Sequence, residues 1–215
     1  RRQVIELIGE IERRADGLVS WTATVDTKQG PQSAVIVFGG STSFGLIPQL
    51  SGEPLRIETQ AGRTWLVEGR SSLAPPAGPD FALPPLPDAA AKALRVKQDG
   101  MKSAGIQQVD VVVMYNGELV SVMGSNEAVL TRIAYLETIT NQAYIDSDVG
   151  LRVRVVAAQL VDYSLRNDNS EALDEMTDSV SLPIRAEALR LREQYGADLV
   201  KLMRNFDRST QTSCG

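Results

Sequence analysis

Between Leu73 and Asp88 the chain reads LAPPAGPDFALPPLPD, a stretch that holds six of its ten prolines. Proline fixes φ at about −65° and donates no backbone hydrogen bond, so such a run is extended and free of regular structure. It predicts a boundary between two domains, residues 1–72 and 109–215, with 73–108 as the linker.

The first flank reads as β-structure. LVSWTATVD, SAVIVFGG, TSFGLIPQL, PLRIETQ and RTWLVEGR are short runs of apolar and polar residues between residues 18 and 70. Turn residues separate them: Gln29-Gly30-Pro31, Gly39-Gly40, Ser51-Gly52 and Ala61-Gly62. This spacing predicts an antiparallel meander of hairpins, with Trp21, Phe38, Ile57 and Trp65 lining its packed face. A short helix is expected ahead of it, from Val4 to Arg13, because Val4, Leu7, Ile8 and Ile11 share one helical face.

The second flank changes period. VDVVVMY (109–115) is nearly all apolar, as in a strand covered on both faces. Over 126–146, Val129, Ile133, Leu136, Thr140 and Tyr144 recur at helical spacing, with Leu130 and Ala143 widening the stripe. LRVRVVAAQLVDY is the next strand, with Val153, Val155 and Ala157 on one face and Arg152 and Arg154 on the other. A helix starts near Pro183, buries Ile184, Ala188, Leu191 and Tyr195, and stops at Gly196. ADLVKLM is the third strand. The order β-α-β-α-β predicts a mostly parallel sheet with two main helices and right-handed crossovers. The whole is α+β: a β-rich antiparallel N-terminal unit followed by an α/β unit.

Composition limits the chemistry. The 215 residues contain no histidine and a single cysteine. No Ser-His-Asp triad and no histidine-based zinc site can form within them, so neither catalytic nor metal-ligating residues are assigned. A net charge of −5, with Lys and Arg scattered, argues against a nucleic-acid surface. No apolar run approaches the ~20 residues that span a bilayer. The chain opens on Arg1-Arg2 instead of methionine, so a removed leader or an internal processing site is expected before it.

Four pieces of the second flank, in order, carry a family resemblance: VDVVVMY, TNQAYIDSDVGLRVRVVAAQLVDY, LREQYGADLVKLM and the terminal Cys214-Gly215. They resemble the N-terminal subdomain of reprolysin-like zinc metallopeptidases, members of the metzincin group. The first flank is similar to the β-rich regions that precede such peptidase domains. The resemblance implies a secreted or periplasmic zinc endopeptidase precursor that acts on peptides or proteins. Its propeptide contacts the peptidase domain, inhibiting it or assisting its folding. The family's zinc motif, His-Glu-x-x-His-x-x-Gly-x-x-His, is absent. On this reading the chain is the propeptide plus an incomplete peptidase domain, inactive alone, with zinc bound only in the full-length parent. The resemblance further implies a disulfide from Cys214 to a cysteine beyond this chain, a free surface thiol being the alternative. It also places linker residues Asp80, Phe81, Ala82 and Leu83 in the substrate groove.

Other residues carry two readings. Asp80 and Asp88 are candidates to occupy the metal as inhibitory carboxylates, or are simply solvated. Asp198 either orients catalytic elements or serves an end-of-helix turn. Tyr144 and Tyr195 read as core residues with their hydroxyls at the edge. The acidic run NDNSEALDEMTDSV (167–180) lacks the glycine and spacing of a calcium loop and reads as a solvated excursion. VDVVVMYNGE suggests a von Willebrand A-like binding module, but Tyr115-Asn116-Gly117-Glu118 does not supply that fold's Asp-x-Ser-x-Ser metal loop. A free-standing inhibitory propeptide is the other non-enzymatic alternative.

Overall fold

The computed structural model describes residues 8–68, 105–164, 168–177 and 183–205. The first part is a six-stranded antiparallel meander in sequence order: β1 (Gly9–Arg13), β2 (Val19–Thr27), β3 (Gly30–Phe38), β4 (Ser43–Ile47), β5 (Leu55–Gln60) and β6 (Arg63–Val67). Ala61 and Gly62 both take positive φ (49° and 71°) between β5 and β6, the turn geometry whose twist suits a two-residue hairpin.

Two expectations are corrected here. Residues 9–13 are a strand, not the end of a helix over Val4–Arg13, and pair from Gly9↔Ala23 to Arg13↔Val19. Ile8 and Ile11, read as part of a buried stripe, are 91% and 68% exposed. Gly9 weakens a helix and lets Trp21 lie against its backbone; a Cβ there would sit 2.5 Å from the indole nitrogen.

The second correction concerns the packed face. Register puts Val35 opposite Leu46 and Val37 opposite Phe44 on one face, and Trp21 opposite Ile36 and Ile57 opposite Leu66 on the other. Trp65 faces Glu58, so it falls on the Val35 side, away from Trp21 and Ile57. Phe38 and Trp65 are 41% and 52% exposed. The buried residues of that packed face are Val35, Val37 and Phe44.

The second part is a parallel sheet in the order β8-β7-β9, with β7 at Gln107–Asn116, β8 at Leu151–Val161 and β9 at Leu199–Met203. α1 (Gly117–Met123) and α2 (Asn126–Asp146) connect β7 to β8; α3 (Asn169–Thr177) and α4 (Pro183–Tyr195) connect β8 to β9. Strand β7 alternates between two cores, which is why its stretch Val111 to Tyr115 is apolar throughout. Val111, Val113 and Tyr115 pack with Val129 and Ile133 of α2. Val112 and Met114 pack with Ile184, Ala188 and Leu191 of α4.

The β7–β8 ladder slips between Val111 and Val112, whose partners are Val155 and Ala157, leaving Val156 unpaired. This bulge exchanges the faces downstream. Val153, Val155 and Ala158 pack on the α2 side, whereas Ala157 joins the α4 side. Val153, Val155 and Ala157 therefore do not share a face.

The helix ends follow local chemistry. The Asn116 carboxamide oxygen caps α1 by accepting from Leu119 N at 3.0 Å, and Ser125 Oγ caps α2 by accepting from Ala128 N at 3.0 Å. Gly196, after α4, takes φ 61°. The acidic run, read as a solvated excursion, contains α3: Asp168 accepts from Glu171 N at 2.9 Å, Ala172 is buried, and Met176 packs one turn on. Tyr195 is 39% exposed and Tyr144 half-buried, so neither is a core residue; the buried tyrosines are Tyr115, Tyr135 and Tyr163.

Candidate functional site

Helix α2 is buried on two sides. One side faces the parallel sheet through Val129 and Ile133. The other offers Ala134 and Tyr135, with Leu136 and Ile139, to Val35, Val37 and Phe44 of the meander. The two parts thus share one helix.

Polar pairs fix the alignment along that seam. Thr131 Oγ1 donates to Glu127 O and so accepts the buried 2.7 Å hydrogen bond from the Thr42 hydroxyl. Glu127 accepts from Ser41 N and Ser41 Oγ at 2.9 and 3.3 Å. Further along, Ser33 donates to Asp146 at 3.0 Å, and Gln142 donates to Ser33 Oγ and Asp146.

Arg14, in the β1–β2 turn, reaches Glu137 of α2 at 2.5 Å, while the other Glu137 oxygen accepts from Val155 N. Burial alone would lower the Arg14 pKa; the bonds and charges of Glu137 and Asp16 outweigh it and hold the guanidinium above its ordinary value. Asn141 clasps both backbone groups of Val153, donating to its carbonyl and accepting from its N–H, each at 2.8 Å. Together Glu137 and Asn141 occupy backbone groups on the outer edge of β8, which would otherwise offer itself to a foreign strand. A cleft of about 490 Å³ lies between α2, β8 and the 14–18 turn.

A second cleft, of about 610 Å³, opens at the carboxyl ends of β7 and β8 beside Glu118, Ser121, Asp162, Tyr163 and Ser164. Ligands of open α/β sheets bind at this end of the strands. Asn116 links the two strand ends by donating to Tyr163 O at 3.0 Å, and Tyr163 OH donates to Glu175 at 2.5 Å. Ser121 Oγ donates to Gly117 O, inside its own helix. The cleft offers carboxylates and hydroxyls without an imidazole, a set that can hold a polar group but gives no nucleophile–base pair.

Sequence reasoning singled out Cys214, Asp80, Phe81, Ala82, Leu83 and Asp88; all lie outside the described residues. Asp198 proves to be a strand clasp: its carboxylate accepts from Asp110 N at 2.9 Å and its own N–H donates to Asp110 O at 2.8 Å. The residues that reasoning missed are the polar ones on α2, namely Thr131, Arg132, Glu137 and Asn141. They carried no local signal, because each is ordinary on a solvated helix until Arg14, Thr42, Phe44 or Val153 is brought against it.

The residues of this chain do not fit the zinc of reprolysin-like peptidases. Histidine is absent from all 215 positions, and among the described residues no three Cys, Asp or Glu side chains converge on a point. No helix among the described residues is long and apolar enough to cross a membrane.

No curated protein sequence matches this chain. A solved structure described as a chaperone-substrate complex contains a chain similar to it at 12% identity and a TM-score of 0.39. That likeness covers 86% of this chain, which spans 24% of the other, and is too low to bear on fold or function. The sequence pattern of the family described as metallo-peptidase family M12B, reprolysin-like, matches residues 106–215. The matched span takes in the β8-β7-β9 sheet and its helices, more than half of the 215 residues, and the chain belongs to the reprolysin-like M12B metallopeptidase family.

Proposed function

We propose that this chain works within a secreted zinc-dependent endopeptidase precursor. Residues 109–215 supply the part of the peptidase domain that scaffolds the cleft, and residues 1–72 are its pro-segment. The observation that carries the reading is the family match over 106–215, on a parallel sheet with helices on both faces. The zinc ligands come from residues of the parent outside this chain. Bound zinc would supply an activated water and polarise the peptide carbonyl; this chain's residues hold the sheet and α2 in place beneath that chemistry.

The pro-segment role is supported by the seam. The meander buries the outer face of α2, so it favours the folded helix and assists the peptidase part in folding. Latency falls to the linker, with Asp80, Phe81, Ala82 and Leu83 lying in the substrate groove. A von Willebrand A-like binding role has less support, since Asn116, where that fold begins its metal loop, caps α1 and holds Tyr163.

The test is expression of the whole reading frame that encodes this chain. Expected are one zinc per protein and peptide hydrolysis that chelators abolish and added zinc restores. A reading frame with no zinc motif and a product with no hydrolysis would sink the proposal and leave the free-standing inhibitory propeptide.

A further inference from the structure

On the seam, Arg132 of α2 lies over two aromatic rings, 5.4 Å from the centroid of Phe44 on β4 and 5.2 Å from that of Tyr135. Among the described residues its guanidinium has these rings and no hydrogen-bond acceptor or carboxylate partner. A guanidinium carries five N–H donors, and those of Arg132 reach solvent, since among the described residues only Arg56 Nε is both shielded and without an acceptor. The neighbouring charges come from β5. Arg56 and Glu58 share the sheet face of Phe44 and both act on the charge of Arg132. Burial and the like charge of Arg56 pull the Arg132 pKa below its ordinary value, against the opposing pull of Tyr135 and Glu58.

Glu58 does not neutralise both cations. It sits 3.4 Å from Arg56 Nη1, long for a charge-assisted bond, and the shielded Nε of Arg56 has no acceptor. Two guanidiniums thus lie on this side of the sheet with one carboxylate, an excess of one positive charge. Trp65, directly opposite Glu58 on β6 and 52% exposed, gives an apolar flank.

We propose that Arg56 and Arg132 form a binding site for an organic carboxylate on the seam between the meander and α2. The excess of one positive charge suits a monoanion, and Arg presents carboxylates with paired donors. Trp65 is placed to contact the apolar part of the acid. The carboxylate bridges β5 and α2, so binding stabilises the seam. The source is a free acid or an acidic peptide side chain, and the two are separated by using sodium acetate and an acetylated, amidated aspartyl-phenylalanine dipeptide as probes.

The experiment is thermal unfolding of the chain with each probe, against sodium chloride at matched ionic strength. Both probes are expected to raise Tm, the dipeptide at lower concentration if a peptide is the source and at equal concentration if a free acid is. Arg56→Gln should weaken the response about tenfold. Glu58→Gln should strengthen it roughly fivefold, because it removes the internal competitor for the cations. Arg132→Gln is a supporting variant only, since it also disturbs the stacked rings. If Glu58→Gln lowers Tm and leaves the probe response unchanged, the cluster is a structural ion pair and the proposal is overturned. It is also overturned if phosphate raises Tm and neither carboxylate does, or if nothing does.

Discussion

Arg14 and Glu137 stand 123 positions apart in the chain and meet at 2.5 Å, tying the first hairpin to the middle of α2. Glu137 is 9% exposed at its side chain and Arg14 20%. Glu137→Ala would leave a shielded guanidinium unpaired and the Val155 N–H without its acceptor, at a cost of about 2 kcal/mol. Glu137→Gln keeps an acceptor and should lose about half as much. The urea midpoints of the two variants check the order.

Gly39 packs close against α2. A Cβ there would come within 2.5 Å of the hydroxyls of both Thr42 and Thr131. Gly39→Ala should therefore destabilise by about 1–3 kcal/mol. Combined with Thr131→Ala, which removes one of the two clashes, it should cost less than the sum of the single changes. A double-mutant cycle in urea measures the coupling, and strict additivity would count against the contact.

Asp110 receives Arg154 at 2.9 and 2.6 Å, and Gln108 at 3.0 Å. The Arg154 bonds outweigh burial and, with that residue's charge, hold the carboxyl below its ordinary value. A depressed folded-state pKa means stabilisation that is present above the unfolded value of about 3.9 and fades as pH falls through the folded one. Stability of the wild type should thus drop more steeply below about pH 4 than that of Asp110→Asn, the two curves converging in acid. Urea midpoints across that range decide it.

Cleavage in the proline-rich linker should not separate the two parts. With a specific protease site set into residues 73–88 and cut after folding, both fragments should elute together under native conditions and part only in denaturant. The apolar seam of Val35, Val37 and Phe44 against Ala134 and Tyr135 predicts this. Separate elution would mean that the seam is weaker than its burial indicates.

The 215-residue chain should neither retain stoichiometric zinc after dialysis nor hydrolyse peptides, given that it contains no histidine. Metal analysis and a fluorogenic peptide assay test both at once. One zinc per chain with chelator-sensitive hydrolysis would contradict it.

What the sequence made legible was periodic and local. The apolar run of β7, the start of α4 at Pro183 and its stop at Gly196 could be read because each reflects one residue's backbone preference or a repeating burial pattern. The bulge at Val156 could not, for nothing in LRVRVVAAQLV marks the residue that is left unpaired. The seam was hidden for a different reason. Thr131, Arg132 and Glu137 are ordinary on a solvated helix, and only the approach of Thr42, Phe44 and Arg14 from far upstream makes them an interface. The strand at Gly9–Arg13 was misread because Val4, Leu7, Ile8 and Ile11 at helical spacing outweighed the glycine. At the candidate site, the absence of a catalytic imidazole was plain from composition, while the Arg56–Arg132 cluster depends on a strand and a helix far apart in the chain.

The sharing of α2 has a consequence for synthesis. The ribosome completes the meander at Val67, but the helix that covers Val35, Val37 and Phe44 is finished only at Asp146. At typical translation speeds that interval lasts on the order of ten seconds. Throughout it the nascent sheet has an apolar face with no partner yet made. Slower translation lengthens that exposure, so the rate at which codons 68–146 are read should set how much newly made protein is lost to aggregation.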